Sequence, residues 1–324
     1  MGRRSANSGG SFARRALKAL CLCALAFGCT RQKLSDDRCR HVEAAPVRLE
    51  SPLSRLKTVF VIVLENANWS DIRGNPSLPY LNKLVGEGAH EEQYFNPMGV
   101  HPSEPNYLWM EGGTDYGVRD DQDPAAHHFE NHDHLVSLLG RAGVSWRSYQ
   151  EGIGAQECPL QSHGLYAVKH NPFVFFEDVS GDAAFCIAHE RPLAELEHDL
   201  LAGSVARYNF ITPDLCHDMH GAHGCPRNLQ EVGETWLSTW VPRIQASKAY
   251  RDAGVLFITW DEGEGRDGPI GMIALSPLAK RGYASTTPLT HSALLRTLQE
   301  IFGVGPFLCD AAQSKDLADL FTLP

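Results

Sequence analysis

The stretch Val59–Trp69, "VFVIVLENANW", sets six apolar residues directly against Glu65 and Asn66. A short continuous run of mostly β-branched residues is what a strand buried on both faces requires. The junction recurs at "VLFITWDEGEG", where Val255–Trp260 run into Asp261 and Glu262. A third run, "RYNFIT", leads to Asp214 and the polar stretch "LCHDMHGAHGC". In open α/β sheets, ligand sites lie beyond the carboxyl ends of the strands. Three such strands would send acids, an amide and imidazoles to one sheet edge. Acids after strands can also cap a following helix. No helix pattern begins after Asp261-Glu262, however, and "GEGRDG" opens no helix as a phosphate-binding loop would.

Working outward, strands are expected at 58–64, 90–95, 144–149, 207–212, 255–260 and 270–275. Helices are expected at 79–87, 132–142, 192–202, 234–252 and 292–302. The last carries apolar residues at helical spacing and stops at Gly303. Alternation of this kind predicts an α/β fold with a sheet covered on both faces. The chain has 324 residues, of which 43% are hydrophobic and 21% charged. This suits one large domain or two modest ones, and no internal repeat is visible.

The N-terminus reads as an export signal at 1–29. Arg3, Arg4, Arg14, Arg15 and Lys18 precede "ALCLCALAFGC", and no acid occurs before Asp36. Ala26-Phe27-Gly28-Cys29 resembles a lipobox, which would anchor the chain through a lipid on Cys29. Residues 30–55 are polar and suit a tether, leaving 56–324 as the catalytic-type domain. The expected location is therefore periplasmic, outer-membrane lipoprotein or secreted. Loss of the signal takes the net charge from −10 to −15. Such acidity argues against nucleic acid and against electrostatic adhesion to anionic lipid, so membrane contact is expected only through the lipid anchor. Beyond Cys29 six cysteines remain, a number compatible with disulfides in an exported chain. Cys216–Cys225 is the favoured bridge, because the two close a short loop. None has the CxxC spacing of a structural zinc site.

The candidate groups fall in "LENANW", "HPSEPNYL", "ITPDLCHDMH", "TWDEGEG" and at His291. Oxygen donors suit a divalent cation, imidazoles suit metal or proton transfer, and a serine near a metal can become a nucleophile. Phosphate-ester hydrolysis fits this inventory, since its transition state disperses negative charge that a cation, an imidazolium and an amide can stabilise.

"VIVLEN", "HPSEPNYL", "YAVKHNPFVFF", "ITPDLCHDMH", "TWDEGEG" and "THSALLRTLQEIFG" occur in the order seen in the bacterial and fungal phosphoesterase family. The chain resembles that family over about residues 57–305; it holds phospholipases C and acid phosphatases and belongs to the alkaline phosphatase superfamily. The resemblance implies a three-layer sandwich with a mostly parallel central sheet. It implies Glu65, Asn66, Asp261 and Glu262 around a divalent metal ion of open identity, with Ser103 as nucleophile and further metal ligand. Asn66 would serve metal or phosphate, and Asp218 would be a further residue of the metal site. His170, His220 and His291 match family histidines near the phosphate. His217 and Asp214 stand where the family usually has Asn, which leaves their roles open.

Bland readings exist beside these. Ser103 and His291 could cap helices, and His170 and His220 could be structural. The run "HHFENHDH", His127–His134, is read as a solvated loop entering a helix rather than a metal site. Three functions compete: an acid phosphatase-like phosphomonoesterase, a phospholipase C-type phosphodiesterase, and a surface lipoprotein that only binds ligand. Phospholipases of the family commonly carry extra C-terminal domains, and this chain continues only some twenty residues past its last helix. The intact set Glu65, Asn66, Ser103, Asp261 and Glu262 favours catalysis. The substrate would be a small-molecule or lipid phosphate ester.

Overall fold

The computed structural model describes residues 47–265 and 267–323. The expected export signal and most of the expected tether lie outside the described residues. An eight-stranded sheet is formed by β1 (Val59–Leu64), β2 (Ala89–Glu91), β3 (Trp146–Gln150), β4 (Glu190–Pro192), β5 (Tyr208–Thr212), β6 (Val255–Trp260), β7 (Met272–Leu275) and β8 (Tyr283–Ser285). Its order is β8-β2-β7-β6-β1-β5-β3-β4. Every pairing is parallel except those of β7, which runs antiparallel to β2 and β6.

β1 and β6 lie at the centre, and all twelve of their residues are buried. Each such large apolar side chain contributes about 1.5–3 kcal/mol on burial, so the centre of the sheet is also its most stable part. Helices pack in two groups. Ser103–Gly112, Leu135–Arg141 and His291–Phe302 pack on one another, and Pro79–Glu87 and Ala194–Ala202 each pack on Leu229–Ala246. The result is the expected three-layer α/β sandwich.

Several boundaries differ from expectation for physical reasons. The predicted strand 90–95 breaks in two: Ala89–Glu91 joins the large sheet, whereas Tyr94–Phe95 pairs with Leu289–Thr290. The Glu91 carboxylate accepts from Gln93 N–H and holds the turn between them. The predicted helix 234–252 begins earlier, at Leu229, and stops at Ser247, whose backbone is extended. The Ser247 hydroxyl then caps a separate turn, Lys248–Arg251. The tether does not extend to 55. Val47–Arg48 pairs with Val304–Gly305, Leu53 is fully buried, and Ser51 donates to the Glu300 carboxylate at 2.8 Å. The packed domain therefore includes residues 47–55.

The run His127–His134 is not a uniformly solvated loop. His134 is fully buried, stacked on Phe176, with its ring nitrogens on Glu111 and Asp178 at 2.9 Å. Two carboxylates outweigh the burial penalty and raise its pKa to about 9. Among the described residues Cys158 bridges Cys186 and, as expected, Cys216 bridges Cys225; Cys309 is disulfide-bonded as well. Among the described residues no helix is long and apolar enough to cross a membrane.

Candidate active site

The register of the central strands builds the site. Leu64 pairs with Trp260, so the next residues, Glu65 and Asp261, leave the sheet side by side. Asp261 N–H donates to the Leu64 carbonyl at 3.0 Å. Asn66 adopts φ +47, the left-handed region that Asn tolerates better than most residues. Its N–H donates to the Asp261 carboxylate at 3.0 Å. On the other side of β1, Glu65 N–H donates to the Asp218 carbonyl at 2.7 Å. The ends of three neighbouring strands thus converge on Glu65.

The segment before and within Ser103–Gly112 supplies the opposite wall. Ser103, Asn106 and Tyr107 share one helix face through their i, i+3, i+4 spacing. The Ser103 hydroxyl donates to one Glu65 oxygen at 3.0 Å, and the Tyr107 hydroxyl to the other at 2.5 Å. Asn106 donates to Glu262 at 2.9 Å, and His101 meets the same Glu262 oxygen at 2.5 Å. The other His101 nitrogen lies 2.6 Å from Asp267.

His170 closes the base of the site. It is buried, stacked on Tyr107, and has its two nitrogens 3.2 Å from Glu65 and from Asp218. Burial alone would keep the imidazole neutral, but the two carboxylates raise its pKa to about 10. The same charge, with Tyr107, overcomes the effect of burial on Glu65 and holds it low. Neither contact is an aligned hydrogen bond, because His170 Nε2 and the facing Asp218 oxygen have no hydrogen-bond partner. Asp218 places its other oxygen on His220 N–H at 2.7 Å.

Burial and the neighbouring Glu65 and Glu262 push Asp261 well above the usual carboxylate range. Its second oxygen is buried without a hydrogen-bond partner. Burial also raises Glu262 to about 6, against the pull of His101. Glu65, Asp218, Asp261 and Glu262 therefore concentrate acidic oxygen, and two of those oxygens, one on Asp218 and one on Asp261, are orphaned. A divalent cation with oxygen ligands fits this arrangement. Donor atoms of Glu65, His170 and His220 also lie within 4.8 Å of one another.

Two expected histidines are placed in particular ways. His220 directs Nδ1 to the Gly221 carbonyl at 2.9 Å and Nε2 toward Lys169 Nζ at 3.2 Å. His291 is fully buried behind Asp261, with Nε2 on the Asp261 carbonyl at 2.6 Å and Nδ1 3.3 Å from the Tyr94 hydroxyl. Both its nitrogens are engaged by protein. Asp214 and His217 join Glu151 in a separate cluster, where His217 Nδ1 lies 2.9 Å from Glu151 and 3.2 Å from Asp214.

Sequence reasoning missed His101, Asn106 and Tyr107, although the helical spacing of Asn106 and Tyr107 from Ser103 was visible. It missed Lys169 as well, which adjoins His170 in "KHNPF".

A model of the Phosphoesterase family matches residues 74–305. The chain is 28% identical over 255 residues to a phosphatidylinositol-3-phosphatase of Mycobacterium tuberculosis, covering 78% of this chain and 79% of the relative. It is 27% identical over 292 residues to a phosphate-repressible acid phosphatase of Penicillium chrysogenum, covering 83% of this chain but 66% of the fungal protein. The match thus spans less than two thirds of that fungal relative. Among solved structures, a protein in the alkaline phosphatase superfamily from Vibrio parahaemolyticus shares the fold, with a TM-score of 0.56 and 12% identity over 88% of this chain and 76% of that one.

Proposed function

The chain belongs to the Phosphoesterase family, and from that premise we propose that it is a metal-dependent, acid phosphatase-like phosphomonoesterase with Ser103 as nucleophile. The observation that carries this reading is the Ser103 hydroxyl, 2% exposed and hydrogen-bonded to Glu65 in a cluster of four carboxylates. Such a serine is poised for activation only where a cation joins those acids.

Glu65, Asp261 and Glu262 would hold the ion, with Asn66, Ser103 and Asp218 as further donors. When bound, a divalent ion neutralises developing charge and lowers the pKa of an adjacent hydroxyl. Glu65 orients the Ser103 oxygen. That oxygen attacks phosphorus, the bond to the leaving alcohol breaks, and a proton goes to the alcohol. Water then cleaves the phosphoserine and releases inorganic phosphate. His170, kept cationic by Glu65 and Asp218, would help balance the negative charge that the phosphoryl oxygens gather. His220 adjoins the same site, with Nε2 on the Lys169 ammonium.

The names of the relatives favour monoesters over diesters, since a phosphatidylinositol-3-phosphatase and an acid phosphatase both cleave monoesters. The substrate is thus a small-molecule or lipid phosphate monoester. The disulfides support export to an oxidising compartment. The test is hydrolysis of p-nitrophenyl phosphate against p-nitrophenyl phosphorylcholine, with and without chelator. Monoester turnover abolished by chelation and restored by a divalent ion is expected. Diester turnover alone would replace the reading with a phospholipase C, and no turnover would leave a ligand-binding protein.

A further inference from the structure

Lys169 adjoins the carboxylate cluster, and a chain of contacts fixes its ammonium. Its side chain is 16% exposed and its ammonium lies 2.9 Å from Asp121. The other Asp121 oxygen accepts from the N–H of Glu104, the residue after the nucleophile, at 3.0 Å. On its other side the ammonium lies 3.2 Å from His220 Nε2. His220 Nδ1 faces the Gly221 carbonyl, which can only accept, so Nδ1 carries the ring proton and Nε2 receives a hydrogen bond from Lys169. The donor atom of His220 is within 4.8 Å of that of Glu65, and Glu65 holds the Ser103 hydroxyl. Hydrogen bonds and one approach within 4.8 Å thus link Ser103-Glu104, Asp121, Lys169, His220 and Glu65 back to Ser103.

We propose that Lys169 is a phosphate-binding residue of this site, with Asp121 as the residue that positions it. An ammonium carries three N–H groups, and Asp121 and His220 take two of them. The third can meet an anionic oxygen of a group held at Ser103. A free lysine would lose much rotamer freedom on binding such an oxygen, whereas here the Asp121 contact has already ordered the chain. Asp121 also ties that cation to the first turn of the nucleophile's helix, so the two move together.

This inference rests on the phosphomonoesterase reading, and its test is separable from it. Inorganic phosphate is titrated calorimetrically into metal-loaded wild type, Lys169→Met, Lys169→Arg and Asp121→Asn, with bound metal and thermal midpoint measured on each. Loss of a charge-assisted hydrogen bond should weaken phosphate binding about tenfold to a hundredfold in Lys169→Met. Lys169→Arg should keep part of the affinity, Asp121→Asn should fall between, and metal content should not drop. A lysine that only offset neighbouring carboxylates would instead alter metal affinity and leave phosphate affinity alone. Phosphate binding within about twofold of wild type in folded Lys169→Met overturns the proposal. Should that variant not fold, wild-type affinity in both Lys169→Arg and Asp121→Asn overturns it, and a graded loss across them supports it. A wild type that binds no phosphate overturns it too. Turnover of p-nitrophenyl phosphate by wild type judges the parent reading independently.

Discussion

His291 places Nε2 2.6 Å from the main-chain carbonyl of Asp261. A carbonyl only accepts, so Nε2 carries the proton and Nδ1 is left to accept from the Tyr94 hydroxyl. The ring is a strut behind a site acid, and burial drives its pKa down to about 4. The native state thus favours the neutral ring. Its contribution to stability is complete above the unfolded pKa of about 6.5 and is lost as pH falls toward about 4, a change of about 3 kcal/mol. His291→Gln removes this titration. Urea unfolding should show wild type ahead of the variant at pH 7, with the gap closing by about that amount at pH 4. A gap that stays constant across this range would refute the neutral-strut assignment.

Ser103→Ala should separate chemistry from stability. The hydroxyl makes one hydrogen bond, to Glu65, and the helix that begins at Ser103 has no side-chain cap bond. Its loss should cost about 1 kcal/mol of stability. Turnover of p-nitrophenyl phosphate should fall by about three orders of magnitude or more, the scale seen when a nucleophile is removed. Near-wild-type turnover would transfer the nucleophile role to another group.

What was legible beforehand follows from where physics is local. The buried strands Val59–Leu64 and Val255–Trp260 announce themselves by composition, and parallel pairing then forces Glu65 beside Asp261. Ser103 was legible only through its motif. Tyr107 and Asn106 were hidden because a helix face can equally be core, and Tyr107 is in fact fully buried. His134 looked like surface because its neighbours in sequence are polar. It is buried because Glu111 and Asp178, 23 and 44 residues away, supply its partners. Lys169 gave no local signal, since the residue that fixes it, Asp121, belongs to a loop 48 residues distant. The inward packing of residues 47–55 depends on Glu300 and Val304–Gly305, at the far end of the chain.

The Cys216–Cys225 bridge spans a separation of nine residues, and Asp218 and His220 sit inside that loop. Closing so short a loop stabilises the fold by about 2–3 kcal/mol. The local effect should be larger than the global one, because Asp218 holds His220 N–H and faces His170. In the Cys216→Ser, Cys225→Ser protein, phosphatase activity should be lost at lower urea than tryptophan fluorescence changes. Coincident transitions, as in wild type, would show that the bridge does not specifically support the site.

Glu65 and Asp261 should bind one ion between them. They follow paired residues of adjacent parallel strands, whose backbones run about 5 Å apart, so their carboxylates can meet a single cation. The orphaned Asp261 oxygen and the crowding of Glu65, Asp261 and Glu262 mean that the site without a cation must take up a proton or bear like-charge repulsion. Alanine at either position should lower bound metal, measured by elemental analysis of dialysed protein, and activity should fall in step. The double replacement should cost far less than the sum of the singles, because the first has already emptied the site. The apo protein should respond in the opposite sense: Asp261→Ala relieves like-charge repulsion, so it should unfold at higher urea than metal-free wild type while gaining less from added metal. A fully metal-loaded Asp261→Ala protein, or additive losses in the double variant, would mean that the two acids serve different partners.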